Sequence, residues 1–468
     1  MAPSDLGSLI EDHALERVPD GERENWLKIA WNTVGLITTL VIMFFGAVVC
    51  FVAGVKIALL AGLVSFGIGS TLGWALAGIT VETGLSNTLI TRQYGLGRRG
   101  SALASIIFGF LIVGFLAVEN GLLYRGFLFF LDWKDDWSTR ILLYGLMTLA
   151  WILLTAFGFK LVTRTSSLMI IGFLIVLAWM MVVVLGGAGA TPAEGLLFAS
   201  QLDAVTLAGM GIDSPADKFV FALNLLVGPA CALALNTADF GRYGKSTGHV
   251  AAAATIAIFM QSMVMMLIGG LLMKAAAPAM ITYFSEVAGM PIELAQRQVL
   301  RSPDSIAATF IVFGGVVGFT LMLLAQAKAQ VLNTYSSSLC IANLSDALLN
   351  WRPGRLTFVV LANVIALLML YGEILHFVEE WIKLLGVLLS ALAGTIILDY
   401  YFVRHRLKPG GETAAVNWAG VIAILAAVYG AHWLLRPYQP VEVLTSLLLV
   451  TLIYPGLRLT LLRPRGQT

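Results

Sequence analysis

Long apolar runs alternate with short polar stretches along this chain, and the runs share a common length. Twelve of them reach the ~20 residues that an α-helix needs to cross the hydrocarbon of a bilayer. They fall at roughly 28–50, 54–78, 101–130, 138–160, 166–188, 217–236, 249–275, 305–333, 356–372, 378–402, 414–435 and 441–460. The pattern therefore predicts an all-α polytopic membrane protein with twelve transmembrane helices, preceded by a polar segment over 1–27. Composition points the same way. Hydrophobic residues make up 59% of the chain and charged ones 12%, against about a quarter charged in an ordinary soluble domain.

The polar stretches carry the orientation. The opening residues, "MAPSDLGSLIEDHALERVPDGERE", are polar and acidic and do not read as a signal peptide. With an even number of spans, both termini are expected in the cytoplasm of a bacterial cell, with the chain lodged in the inner membrane. The loops then predicted to lie inside hold Arg92, Arg98 and Arg99; Lys160 and Arg164; Arg242 and Lys245; Arg352 and Arg355; and Arg404, Arg406 and Lys408. Those predicted outside are acidic or mixed, with Asp132, Asp135, Asp136, Glu194, Asp203 and Asp213. The net charge of +2 thus reports orientation and gives no reason to expect nucleic acid as a partner.

Catalytic chemistry finds little support. Cys50, Cys231 and Cys340 lie within or at the ends of apolar runs, unpaired in spacing, and read as small packing residues. The five histidines are scattered and form no HExxH pattern, and there is no P-loop, so no cofactor or metal is expected. What remains is a transporter or channel, in which intramembrane polar groups and broken helices mark the path.

Three places interrupt the apolar pattern. In "FLAVENGLLYRGF" (115–127), Glu119 sits mid-span, where a carboxylate costs about 2.5–3.5 kcal/mol unless it faces protein or water. Phe115 lies one helical turn before it on the same face, which places a ring beside a hydrogen-bond acceptor and suits a flat heterocycle with N–H groups along one edge. In "LNLLVGPACALALNTADFGRYGKS", Gly228 and Pro229 predict a kink or an unwound turn that frees backbone groups to hold a ligand. In "LLAQAKAQVLNTY" (323–335), Gln326, Lys328, Gln330 and Asn333 crowd one segment of span eight. Lys328 there either pairs inside the bundle or reaches out toward the cytoplasmic surface.

Four further stretches carry a resemblance. "ETGLSNTLITRQYGLGRRGS" between spans two and three, "TADFGRYGKS" after span six, "TIILDYYFVRHRL" closing span ten and "VNWAGVIAILAAVYGAHWL" in span eleven occur in order. Together they make the chain similar to the nucleobase:cation symporter family, in its cytosine permease branch. The resemblance implies a leucine-transporter-like fold: two five-helix repeats of opposite orientation, over 28–188 and 217–403, then two additional helices over 414–460. It implies a secondary active transporter working by alternating access, with substrate held between helices one, three, six and eight. Spans one and six would be equivalents, and Gly35, Thr38 and Thr39 would mark the break in span one.

Carried over by position, Phe115 stands where the family typically has a stacking tryptophan, and Glu119 where some members have a substrate-binding glutamine. Gly228 falls at the unwound part of helix six, and Gln330 at a helix-eight asparagine. The resemblance thus implies substrate contacts from Glu119, Phe115, Thr39, Gly228, Gln326 and Gln330. Two departures stand out. Lys328 and Ala329 replace the paired hydroxyl residues of sodium-coupled members, so a proton is expected as the coupling ion, exchanged at Glu119 or Lys328. Pro229 and Ala230 replace a polar and an aromatic residue of cytosine permease, so the expected substrate is a nucleobase or related nitrogen heterocycle other than cytosine. The competing readings are a membrane-embedded enzyme, and a channel or transporter-derived receptor.

Overall fold

The computed structural model describes residues 17–157, 159–187, 196–351, 353–407 and 415–463, and among these every named element is a helix. The predicted loop residues Glu194, Arg352 and Lys408 lie outside the described residues, as do the side chains of Lys160, Arg164 and Arg355. Span one is two helices, α1 (Trp26–Ile37) and α2 (Leu40–Ala53). A turn at Gly54 leads into α3 (Val55–Thr83), and the short helix Asn87–Gln93 then precedes α4 (Ser101–Leu131). Next come α5 (Trp137–Phe157), α6 (Phe159–Gly187) and α7 (Pro215–Gly241). Span seven is α8 (Thr247–Phe259) and α9 (Met266–Glu286), joined without a break by a π turn, Met260–Met265. The rest are α10 (Ala308–Leu349), α11 (Arg355–Tyr371), α12 (Val378–Leu398), α13 (Trp418–Tyr429) and α14 (Glu442–Leu459).

Eight helices among the described residues are long and apolar enough to cross a membrane, and the other predicted segments fall on the shorter apolar stretches Leu40–Ala53, Ile170–Val184, Leu356–Tyr371 and Trp418–Leu434. Burial sorts the helices into an inner and an outer set. Every residue of α2 is buried, and α4, α7 and α12 are mostly buried, whereas α3, α5 and α14 turn leucines and tryptophans outward. Such exposed apolar side chains belong against acyl chains. At the centre α2 packs on α7 and α9, α4 on α10, and α7 on α3 and α12.

Span eight is longer than its apolar pattern predicts. A non-helical residue, Gly315 (φ 54°, ψ −146°), divides α10, and beyond it the helix runs on to Leu349 rather than stopping near 333. Lys328 is consequently mid-helix and 3% exposed, about 30 Å short of Leu349 at ~1.5 Å per residue. That distance removes the expectation that it reaches out to the surface.

The four stretches behind the family resemblance meet at one end of the bundle. Asn87 donates through its backbone N–H (2.9 Å) and side chain (3.0 Å) to the Asp239 carboxylate. The Gly95 N–H donates to Asp399 Oδ2 at 2.9 Å, and Tyr454 Oη donates to Asp399 Oδ1 at 2.6 Å. Asn417 donates its side-chain amide to the Gly95 carbonyl at 2.7 Å and its backbone N–H to the Leu96 carbonyl at 2.7 Å. Arg92 joins this end to α10 through Asn343 and Asp346. These residues therefore close the loops around the ends of α7, α12, α13 and α14 rather than line a ligand site.

At the opposite end, Asp135 is the hub. It accepts from Tyr124 Oη (2.9 Å), Arg125 (3.0 Å) and Arg140 (2.6 and 3.0 Å), while Arg125 also faces Asp304 at 3.4 Å. Burial alone would raise the Asp135 carboxyl, but hydrogen bonding from Arg140 and the charge of Arg125 outweigh it and hold the group below the usual carboxylate range. The folded state thus prefers the charged form. The stabilisation is in place above the unfolded value of about 3.9 and fades as pH falls through the lower folded value. Asp135→Asn is expected to cost about 1–2 kcal/mol at neutral pH. Melting temperatures followed from pH 7 toward pH 3 check this, because the gap to the parent protein should narrow below about pH 4.

Candidate functional site

The break in span one creates the site. Thr39 is extended (φ −114°, ψ 155°) and precedes α2, so the first N–H groups of α2 have no partner within their own helix. Glu119 reaches them from α4. Its carboxylate is 1% exposed and lies against Thr39 and the backbone N–H groups of Val41 and Leu40. An anion at a helix N-terminus is favoured by the aligned peptide dipoles. Gln326 on α10 locks the pair together: oriented to satisfy both its ends, its NH2 donates to Glu119 Oε2 and its carbonyl accepts from the Leu40 N–H at 3.0 Å.

Beside this junction is a cavity of about 530 Å3, counting the space at its mouth. Thr39, Val41 and Ile42 form the wall at the start of α2, Ile112, Phe115 and Glu119 the wall on α4, and Pro229, Ala232, Leu233 and Asn236 the wall on α7. Ala329, Asn333 and Ser336 on α10 and Gln261 in the π turn complete it. Phe115 is held edge-on by Trp381, ring centroids 5.5 Å apart and planes at 77°. The result is a chamber with one carboxylate, three side-chain amides, two hydroxyls and an aromatic ring, otherwise apolar, which is the usual make-up of a small-ligand site.

The polar residues singled out in the sequence separate into those on the wall and those behind it. Glu119, Phe115 and Thr39 line the cavity. Gln326 holds Glu119 from behind. Gln330 donates to the Leu116 carbonyl (3.1 Å) and Asn120 Oδ1 (2.7 Å), and accepts from Asn333 at 3.2 Å, so it positions an amide that does line the cavity. Asn120, adjacent in sequence to Glu119, points about 100° around α4, away from the cavity, and also accepts from Trp151 Nε1 at 2.8 Å. Lys328 is buried with no hydrogen-bond partner at Nζ and is not on the cavity wall.

Gly228 requires a correction. The expected unwinding of span six is absent: α7 is continuous through Pro229, which leaves the Leu225 carbonyl without its helical donor. Gly228 instead faces α12, where a Cβ built on Gly386 would lie 3.0 Å from the Gly228 Cα, and one built on Gly228 would lie 2.8 Å from the Ile382 carbonyl oxygen. The two glycines let α7 and α12 touch backbone to backbone, and that packing favours a continuous helix. Asn236, Gln261 and Ser336 escaped the sequence reading. Gln261 was findable by the rule that isolates Glu119, since it is a lone amide within the apolar run "AIFMQSMVMML".

Comparison with known proteins fits this geometry. The family described as "Permease for cytosine/purines, uracil, thiamine, allantoin" matches residues 29–432. The chain belongs to this family. Cytosine permease of Escherichia coli (strain K12) is 23% identical over 364 residues, covering 76% of this chain and 73% of that protein. Among solved structures, the inward-facing conformation of Mhp1 superposes with a TM-score of 0.70 at 15% identity, covering 96% of this chain and 93% of that one. Mhp1, a nucleobase-cation-symport-1 family transporter, in a closed conformation with bromovinylhydantoin bound gives a TM-score of 0.65 at 15% identity, over 96% and 95%. The fold is therefore leucine-transporter-like, and the protein is a multi-pass secondary transporter, not an enzyme.

Proposed function

We propose that this permease carries a neutral or cationic nucleobase-like heterocycle, bound in the cavity between the span-one break, α4, α7 and α10. The observation that carries this reading is the Glu119 carboxylate seated on the N-terminus of α2. In transporters with a broken first span, that half-helix end is where an anionic substrate group docks. Here a side chain of the protein already fills the position. A substrate carboxylate would meet like charge, whereas a ring with N–H donors meets an acceptor. The names of the relatives agree, one a cytosine permease and one a transporter with a hydantoin bound.

The same reading divides the chain into two five-helix repeats, 28–188 and 217–403, with 414–460 added. It sets the protein in a bacterial inner membrane, both termini in the cytoplasm, and needs no cofactor. A thermal-shift screen of purified protein against purines, pyrimidines and hydantoins tests it, since a ligand of the native state raises apparent stability. Carboxylates that stabilise the protein while every heterocycle fails would overturn the assignment.

Coupling is proposed to use protons rather than sodium. Lys328 supports this, because it places a buried, unpartnered ammonium in span eight, where a sodium ion would meet like charge. Uptake is expected to be equal in choline and sodium buffers and to quicken with an inward proton gradient. Lys328→Ala is expected to reduce accumulation about tenfold or more while exchange of substrate across the membrane survives. A steep sodium dependence of the parent protein would refute the proposal.

A further inference from the structure

Gln261 sits in the π turn of span seven, an element outside the set of helices expected to hold substrate. A π turn adds a residue to one helical turn and so re-aims the side chains it carries, which is why such turns recur at functional sites. Gln261 is 6% exposed, lines the central cavity, and has no hydrogen-bond partner at Nε2. A smaller apolar recess, lined by Ile42, Phe45, Leu226, Pro229 and Ser262, adjoins the same residue. A buried donor with nothing to bond is unfavourable and gains most from any acceptor brought to it.

We propose that Gln261 is a specificity-determining residue that donates to a carbonyl oxygen of the bound heterocycle. The inference rests on the substrate class proposed above and narrows it. Glu119, when ionised, can only accept, so it selects an N–H edge, while the Gln261 NH2 can only donate, so it selects an acceptor on the same ring. A lactam-type ring offers both, with N–H beside C=O, as in guanine, hypoxanthine and uracil. A ring whose carbonyl is replaced by a weaker acceptor, such as a thiocarbonyl, leaves the Gln261 donor poorly paired. Sites built around such a bond discriminate strongly against analogues that lack the matching group.

Binding to purified full-length protein tests this with ligand pairs that keep the ring N–H and exchange the carbonyl for a weakly accepting thiocarbonyl: hypoxanthine against 6-mercaptopurine, and guanine against 6-thioguanine. The parent protein is expected to bind the oxo member at least about tenfold more tightly. Gln261→Leu is expected to abolish that difference by weakening the oxo ligand about tenfold, with the thio ligand unchanged. Gln261→Glu, which swaps donor for acceptor, is expected to reverse the preference and serves if the leucine variant does not fold. Equal weakening of both members of a pair, or an unchanged preference in both variants, would overturn the role of Gln261 while the transport reading stood. Failure of every heterocycle to bind the parent protein would remove the transport reading, and this inference with it.

Discussion

Uptake by Glu119→Gln is expected to fall about 100-fold, with the protein still folded. The carboxylate is surrounded by donors: the N–H groups opening α2 and the amide NH2 of Gln326. A glutamine at 119 must place its own NH2 against one of them. If Gln326 turns over to accept from it, the Gln326 NH2 is then aimed at the Leu40 N–H, so one donor pair clashes in either arrangement. The lost charge-assisted bonds are worth about 1.5–3 kcal/mol, and 1.4 kcal/mol is tenfold in an equilibrium. Because α2 begins at this point, the loss loosens the span-one break as well as the substrate contact. Radiolabelled uptake alongside size-exclusion profiles of the variant checks it, and near-parental uptake with an unaltered substrate profile would reduce Glu119 to a helix cap.

Gly46→Leu is expected to yield no folded transporter. The α2 and α9 backbones touch, and a Cβ built on Gly46 would lie 2.6 Å from the Met266 Cα. The contact is reciprocal, since a Cβ on Gly269 would lie 2.7 Å from the Met43 Cα and one on Gly270 the same distance from the Cys50 Cβ. No rotamer avoids a clash that begins at Cβ against main chain. Even alanine must push the helices apart, at a cost of about 1–3 kcal/mol or more for overpacking. Both helices are pinned by wholly buried residues, so the displacement would carry to Thr39 and the cavity wall. Detergent-solubilised Gly46→Ala should melt well below the parent and Gly46→Leu should run as aggregate; a monodisperse leucine variant would show that the α2–α9 contact gives way cheaply.

The polar intrusions were legible because hydrocarbon leaves few reasons for a carboxylate or amide to occur in it. That logic isolated Glu119, and with it Phe115 one turn away, both of which line the cavity. It could not rank the residues of "LLAQAKAQVLNTY", because Gln326, Gln330 and Asn333 share one face of the helix at i, i+4 and i+7, and the chain does not state which of them meets an empty space. Gln326 and Gln330 support wall residues from behind, while Asn333, from the same stretch, is on the wall itself. Gly228 and Pro229 misled for a related reason. The pair lowers the cost of breaking a helix, but Gly386, more than 100 residues later, makes a continuous helix the better packed state.

Taken alone, the sequence determined the membrane class, the helical segments, the family and the existence of a polar interior site, because each follows from local composition, run length or motif order. The tertiary structure decided which polar groups face the cavity, that the anion position at the start of α2 is filled by Glu119, and that Gln261 is left with an unspent donor. Those are relations between helices distant in the chain. They depend on how glycine-lined surfaces let backbones approach and on the rotation of each helix about its axis, and neither is written in the spacing of residues along a single segment.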